Sequence, residues 1–171
     1  MKIAYQGIAG SYSESCAKEK YPDCETIPCK TFDECFEKAN KDNQVKAIIP
    51  ESNKTTGNIG VEYLIFKYRL NIYAEHFYPI NHNLLGLPNS NISDIKDVYS
   101  HAQALSQSTN FIKKNNFNEN VRADTAGSAK YVSEAGDISK GAIASDLSSK
   151  IYNLKILESK IQDEKENVTR F

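Results

Sequence analysis

The sequence predicts an α/β protein built as two small lobes. Short apolar runs alternate with amphipathic stretches of about ten residues, the pattern of strands joined by crossover helices into a largely parallel sheet. Two strand-like runs, 70–77 and 79–87, follow each other with no helix between, as crossings from one lobe to another would. The length, 171 residues, suits one domain with a good core or two small lobes. The division expected is 1–78 as the first lobe, 79–166 as the second, and 167–171 returning to the first. The ligand cleft is expected between them, because each lobe alone is small.

The elements follow in order. Residues 2–6 read as a buried strand running into Gly7, and Gly10-Ser11 opens a helix over 12–20. Residues 25–28 make a second strand. Thr31 is placed to cap a helix that ends near Ala39-Asn40, with Glu34 at the capping-box position. A strand over 45–49 stops at Pro50. A loop rich in Ser, Asn, Thr and Gly covers 51–60, and a helix covers 61–68. After the two long strands come a short strand over 98–100, a helix from 103 to about 114, and a strand over 121–123. Asp124 caps a helix beginning at Thr125. The chain closes with a strand over 141–145, a helix over 146–152 and a strand over 154–161.

Composition excludes several classes. A net charge of −1, from 21 basic and 22 acidic residues, offers no electrostatic footprint for nucleic acid. No run approaches the ~20 apolar residues of a membrane span. The residues after Met1 lack the apolar stretch of ~7–15 that marks a secretory signal. A cytoplasmic protein is expected, with no membrane or nucleic-acid partner. Cys16, Cys24, Cys29 and Cys35 form no C-x-x-C pair, and His76, His82 and His101 are the only histidines. Reduced, partly buried thiols and no metal site are expected.

Five polar segments fall at strand ends, where α/β folds bind ligands. Gly7-Ile8-Ala9-Gly10-Ser11 precedes a helix whose free N–H groups attract anions, though such a turn is also common without a ligand. Pro50-Glu51-Ser52-Asn53-Lys54-Thr55-Thr56-Gly57 either holds a carboxylate or satisfies its own backbone. Ser100-His101 ends a strand with Gln107 in the helix beyond, and His101 reads as a general base or a neutral structural residue. Asp124-Thr125-Ala126-Gly127-Ser128-Ala129 is a helix start whose small residues admit a ligand or simply cap. Arg170, near the end of Asn167-Val168-Thr169-Arg170-Phe171, is a bidentate carboxylate binder or an exposed arginine. No nucleophile triad, P-loop or dinucleotide fingerprint is present. These residues alone give a two-lobed α/β protein binding a small polar anion.

Together the segments resemble the catalytic domain of the prephenate dehydratase family over residues 3–171. The resemblance rests on Ala4-Tyr5-Gln6-Gly7-x-x-Gly10-Ser11-Tyr12-Ser13, on Pro50-x-x-Asn53-x-x-x-Gly57, and on Val98-Tyr99-Ser100-His101-x-Gln103-x-x-x-Gln107. It rests further on Asp124 to Ala129, and most specifically on Ile161-Gln162-Asp163 followed by Asn167-x-Thr169-Arg170-Phe171. Where the family has Glu before the asparagine this chain has Ser52, and Lys54, Ala102 and Ile8 stand at other family Ser or Pro positions.

The resemblance implies a two-lobed fold like the type 2 periplasmic binding proteins. It implies conversion of prephenate to phenylpyruvate in phenylalanine biosynthesis, without cofactor or metal, and a tendency to homodimerise. It gives catalytic roles to Asn53, Ser100, Gln107 and Thr169, with Thr169 at the leaving hydroxyl. Candidates for holding the substrate are Arg170 and Phe171, the helix starts at Ser11 and at Thr125 with Gly127, and Thr55. The family usually carries an ACT-type regulatory domain after its catalytic domain, and these 171 residues hold the catalytic part. Arogenate is the alternative substrate. A non-catalytic small-anion binding protein of the same fold is the rival reading.

Overall fold

The computed structural model describes residues 1–171. In chain order the elements are β1 (Lys2–Gln6), α1 (Tyr12–Lys20), β2 (Glu25–Cys29), α2 (Phe32–Lys41), β3 (Val45–Ile48), β4 (Ser52–Asn53), β5 (Gly57–Asn58), α3 (Glu62–Tyr68) and β6 (Phe77–Pro79). They continue with β7 (Asn83–Gly86), β8 (Asp97–His101), α4 (Ala102–Ser106), α5 (Thr109–Asn115), β9 (Asn118–Arg122), α6 (Thr125–Ala135), β10 (Lys140–Ala144), α7 (Asp146–Ile151), β11 (Lys155–Glu158) and β12 (Val168–Arg170). The chain divides into two compact units. The first comprises Met1–Ile8, Tyr12–Ile80 and Glu166–Phe171, and the second Ala9–Ser11 with Asn81–Lys165. No helix is long and apolar enough to cross a membrane.

The first unit holds a parallel sheet in the order β2-β1-β3. Its central strand is apolar without alternation because both faces are covered. Ile3 and Tyr5 pack with Cys16 and Ala17 of α1 and with Ile48. Ala4, on the other face, packs with Cys29, Cys35 and Val45. Helix α2 starts as its residues predict, with Thr31 Oγ1 accepting from Glu34 N at 3.1 Å. The returning carboxylate bond goes one residue further back, from Lys30 N to Glu34 Oε2 at 2.8 Å.

A second sheet of this unit is antiparallel, in the order β5-β4-β12-β6. It corrects two expectations. The loop expected over 51–60 contains a small hairpin, because β4 finds a distant partner in β12. The long strand expected over 70–77 is absent up to β6, and Ile72 and Tyr73 are 75% and 77% exposed. Apolar residues alone do not make a strand, and strand pairing begins only at His76, whose N–H and C=O both bond to Phe171.

The second unit is a five-stranded sheet in the order β11-β7-β10-β8-β9. Strands β8, β9 and β10 run parallel, while β7 runs antiparallel to both β10 and β11, so the sheet is mixed rather than largely parallel. Successive residues serve opposite faces. Leu84 and Ile143 pack with Val98, Leu105, Ile112 and Ile161, while Leu85, Ala142 and Ala144 pack with Ala129, Val132 and Leu154. The strand expected over 79–87 shortens to β7. Ile80 N still pairs with the Asn167 carbonyl at 2.8 Å, continuing from β6, but the His82 N–H goes to the Gln162 side-chain oxygen at 3.0 Å instead of to a strand. The strand expected over 154–161 shortens to β11. The helix expected from 103 to 114 breaks into α4 and α5, with Ser108 at φ −125° and ψ 21°.

The cysteines are all free, and three are buried. Burial pushes the Cys16 thiol up to about 12 and the Cys35 thiol well above its ordinary range. Neither is a thiolate nucleophile near neutral pH.

Candidate functional site

In the first unit, antiparallel pairing sets Thr169 opposite Asn53 on one side and opposite Tyr78 on the other. Asn53, Asn167 and Thr169 are all buried. Asn53 Nδ2 donates to Asn167 Oδ1 at 2.8 Å and to Thr169 Oγ1 at 2.9 Å. The other end of the same amide is fixed by Thr55, whose N–H and hydroxyl donate to Asn53 Oδ1 at 2.9 Å and 2.6 Å. Both donors come from Thr55, so the atom they meet must be the amide oxygen. The amide orientation is thereby set, and Thr169 receives a hydrogen bond rather than giving one. Its own proton is left for another acceptor.

Arg170 does not join this cluster. Along a strand neighbouring side chains leave on opposite faces. Thr169 is buried and Arg170 is exposed, with Nε 2.7 Å from Glu75 Oε1 and Nη1 3.4 Å from Glu51 Oε2. The guanidinium expected to clamp a substrate carboxylate is already engaged by two protein carboxylates. Phe171 is a packing residue: it meets Tyr78 edge to face and lies against the Ile3 and Tyr5 core. A cavity of about 570 Å³ in this unit is lined by Ile3, Phe36, Val45, Tyr73, Arg170 and Phe171 among others, and by neither Asn53 nor Thr169.

In the second unit, the Gly10 carbonyl accepts from Ser145 Oγ at 2.5 Å and from Ser148 Oγ at 2.9 Å. The Tyr152 hydroxyl holds the Ala9 carbonyl at 2.7 Å. Gly10 stands at φ +92°. These bonds fix the turn that carries Ser11 into α1.

Ser100 is fully buried and donates to the Ile143 carbonyl of the neighbouring strand at 2.6 Å. Its proton is therefore spent on the sheet, which argues against proton donation from this serine. His101 is an exposed cap of α4, with Nδ1 accepting from Gln103 N at 3.3 Å. At α6, Asp124 Oδ1 takes the Gly127 N–H at 2.5 Å. The amide expected to meet an anion is thus already capped by a carboxylate. A Cβ on Gly127 would lie 2.9 Å from Asp124 Oδ2, so the glycine serves the closeness of the cap. Thr125 is half-buried in the first turn of the same helix.

Gln107 sits at the break after α4. Its carbonyl accepts from Asp163 N at 2.7 Å, and its Oε1 lies 2.8 Å from His82 Nε2. His82 is buried, and that burial holds its pKa below the ordinary histidine value. His82 and Asn167 join these clusters without having been among the site residues that the sequence pointed to. Asn167 stands in the Asn-x-Thr-Arg-Phe run, two residues before Thr169, which is a same-face spacing on a strand. For His82 no local signal exists, since its partner lies 25 residues on. No group of His, Cys, Asp and Glu is placed to hold a metal ion.

The family model for prephenate dehydratase matches residues 3–171. This chain belongs to the prephenate dehydratase family. It is 42% identical to the Arabidopsis thaliana protein named arogenate dehydratase/prephenate dehydratase 1, chloroplastic, over the whole chain but only 44% of that relative. The chain thus spans less than half the length of that curated relative. Other relatives from Petunia hybrida and Arabidopsis thaliana are named arogenate dehydratases. Among solved structures, GqqA, described as a novel type of quorum quenching acylase, has a TM-score of 0.92 at 32% identity. It covers all of this chain and 62% of its own. The prephenate dehydratase of Staphylococcus aureus subsp. aureus Mu50 has a TM-score of 0.85 at 28% identity, covering all of this chain and 64% of its own. The α/β fold expected from the sequence is that of this family.

Proposed function

We propose that the chain catalyses the decarboxylating dehydration of prephenate to phenylpyruvate, a lyase reaction of phenylalanine biosynthesis, with Thr169 at the leaving hydroxyl. The observation that supports this is the buried Thr169 hydroxyl, which accepts from Asn53 and has a proton left to give. In the reaction the ring loses its carboxylate as carbon dioxide. The electron pair of that bond enters the ring, and the ring hydroxyl departs and takes up a proton to leave as water. A threonine hydroxyl is too weak an acid to release a free proton at neutral pH. It instead donates a hydrogen bond that strengthens as negative charge grows on the leaving oxygen, and the proton of the water comes ultimately from solvent. A bond stronger in the transition state than in the ground state is the kind that accelerates the step. The resemblance gives Ser100 and Gln107 roles in the same reaction; because the Ser100 hydroxyl donates to the Ile143 carbonyl, its role would be that of an acceptor.

Arogenate in place of prephenate is the second reading, favoured by the names of the relatives. Its ammonium group calls for an acidic partner, and the cluster around Thr169 consists of neutral amides and hydroxyls. A cytoplasmic location fits the four free thiols, which suit a reducing compartment. A homodimer is carried by the family resemblance.

The test is incubation of the purified chain with prephenate, and separately with arogenate, near neutral pH, following phenylpyruvate and phenylalanine. A no-enzyme arm and Thr169→Ala are the controls. Phenylpyruvate is expected from wild type, at a rate ~10²-fold or more above Thr169→Ala. Turnover of arogenate alone replaces the first reading with the second. Binding without turnover of either leaves a small-anion binding protein.

A further inference from the structure

In the second unit one short segment grips two residues at once. Ile161 N donates to the His82 carbonyl at 2.8 Å, and the Gln162 side-chain oxygen accepts from His82 N at 3.0 Å. The next residue, Asp163, gives its N–H to the Gln107 carbonyl at 2.7 Å. The backbones of His82 and Gln107 are thus fixed relative to each other by three consecutive residues. Their side chains meet at 2.8 Å, imidazole Nε2 against amide Oε1.

From this we infer that His82 is a positioning residue: its Nε2–H holds the Gln107 amide oxygen and so turns the amide NH2 away from itself, as a donor for an anionic substrate. The inference rests on the dehydratase reading, in which Gln107 acts on a carboxylate-bearing substrate. An amide has an accepting end and a donating end of nearly equal shape, so packing alone does not choose between them. A hydrogen-bond partner of fixed polarity does. With the proton on Nε2, His82 accepts no bond there and only the amide oxygen can face it. With the proton on Nδ1, Nε2 would accept from the amide NH2, and Oε1 would face outward and repel a carboxylate. Burial keeps the ring neutral, so a single proton position decides the matter.

The test has two arms on the whole chain. The first reads the tautomer directly, from imidazole nitrogen shifts in long-range proton–nitrogen correlation spectra, with the three histidines assigned by substitution. Nε2–H is expected at His82, and a proton on Nδ1 overturns the inference whatever the activity. The second arm is kinetic. His82→Phe keeps a ring without a donor and is expected to lower kcat/KM about 10-fold or more. His82→Gln, whose amide reaches the same point with an N–H, is expected to recover most of that loss. In a Gln107→Leu background His82→Phe is expected to cost less than about 2-fold, since residues acting through one another are not additive. Full additivity, or no rescue by His82→Gln, overturns the positioning role. Inactive wild type with Nε2–H at His82 overturns the dehydratase reading and the catalytic half of the inference, while the orientation of the amide stands.

Discussion

Asn53 gives an N–H to Thr169 Oγ1 at 2.9 Å, and the direction of that bond decides what the threonine can do. A hydroxyl that receives from a fixed donor keeps its proton for another oxygen. The direction originates in Thr55, whose two donors claim the amide oxygen. It is maintained by the pairing of β4 with β12, which sets residue 53 opposite residue 169.

Asn53→Asp is therefore expected to be worse than Asn53→Ala, although aspartate is the closer match in shape. A carboxylate accepts where the amide gave, so it would draw the Thr169 proton onto itself and set its charge against Asn167 Oδ1. Leaving like polarity unpaired in a buried cluster costs more than leaving a gap. Turnover is expected to fall ~10²-fold or more for the aspartate and less for the alanine. Steady-state rates for the two variants check this. Equal losses would show that the polarity of the bond is irrelevant.

Gly10 is held where no other residue fits. At φ +92° a side chain is strained, and an added Cβ would lie 2.6 Å from Ser148 Oγ and 3.0 Å from Ser148 Cα. Gly136, at φ +64° with nothing within 4 Å, carries the backbone strain without the collision. Gly10→Ala is expected to destabilise by about 2 kcal/mol or more, and Gly136→Ala by about 1 kcal/mol. Denaturant midpoints of the two variants give the difference, which is the cost of the close approach to Ser148. Equal midpoints would show that Ser148 yields.

Much of this was legible in the sequence, and what was not shares one cause. β1 is plain from Ile3-Ala4-Tyr5, since a strand covered on both faces is continuously apolar. Helix α2 is plain from Thr31 and Glu34, and α6 from Asp124, because a cap acts within one turn. The hairpin of β4 and β5 was hidden because β4 pairs with β12, over a hundred residues away. The strand expected over 70–77 formed only at its end, where His76 and Phe77 meet Phe171 and Arg170. At the site, that Asn53 and Thr169 belong together came from the family resemblance, not from spacing. The spent proton of Ser100 depends on the Ile143 carbonyl, and the engagement of Arg170 on Glu51 and Glu75, so neither was visible locally.

Arg170 is expected to matter little to the chemistry despite its place beside Thr169. It leaves the strand on the opposite face, is close to half exposed, and spends its fork on Glu51 and Glu75. Exposed pairs of this kind are weak and screened by salt. Arg170→Ala is expected to keep kcat within about 3-fold of wild type, against ~10²-fold for Thr169→Ala, with stability nearly unchanged. Parallel kinetics and thermal melts check this. A loss of kcat/KM on the Thr169 scale would return Arg170 to the substrate.

His82 should make stability depend on pH on the acid side of neutrality. Burial lowers its folded pKa below the ordinary histidine value of about 6.5, while the unfolded chain titrates near that value. Well above about 6.5, from about a pH unit higher, the ring is neutral in both states and contributes no slope. As pH falls below it the unfolded chain takes up a proton that the folded chain refuses, so stability declines by up to about 1.4 kcal/mol per pH unit until the folded pKa is reached. The proton bound more readily by the unfolded state gives the sign: stability rises with pH across this window. Denaturant unfolding of wild type and His82→Gln from pH 7.5 downward, in steps of about half a unit, isolates this one group. The difference between the two proteins is expected to be constant only above about 7.5 and to shift in favour of His82→Gln as pH falls through about 6.5. A difference that stays flat throughout would mean that the buried ring accepts its proton as easily as an exposed one.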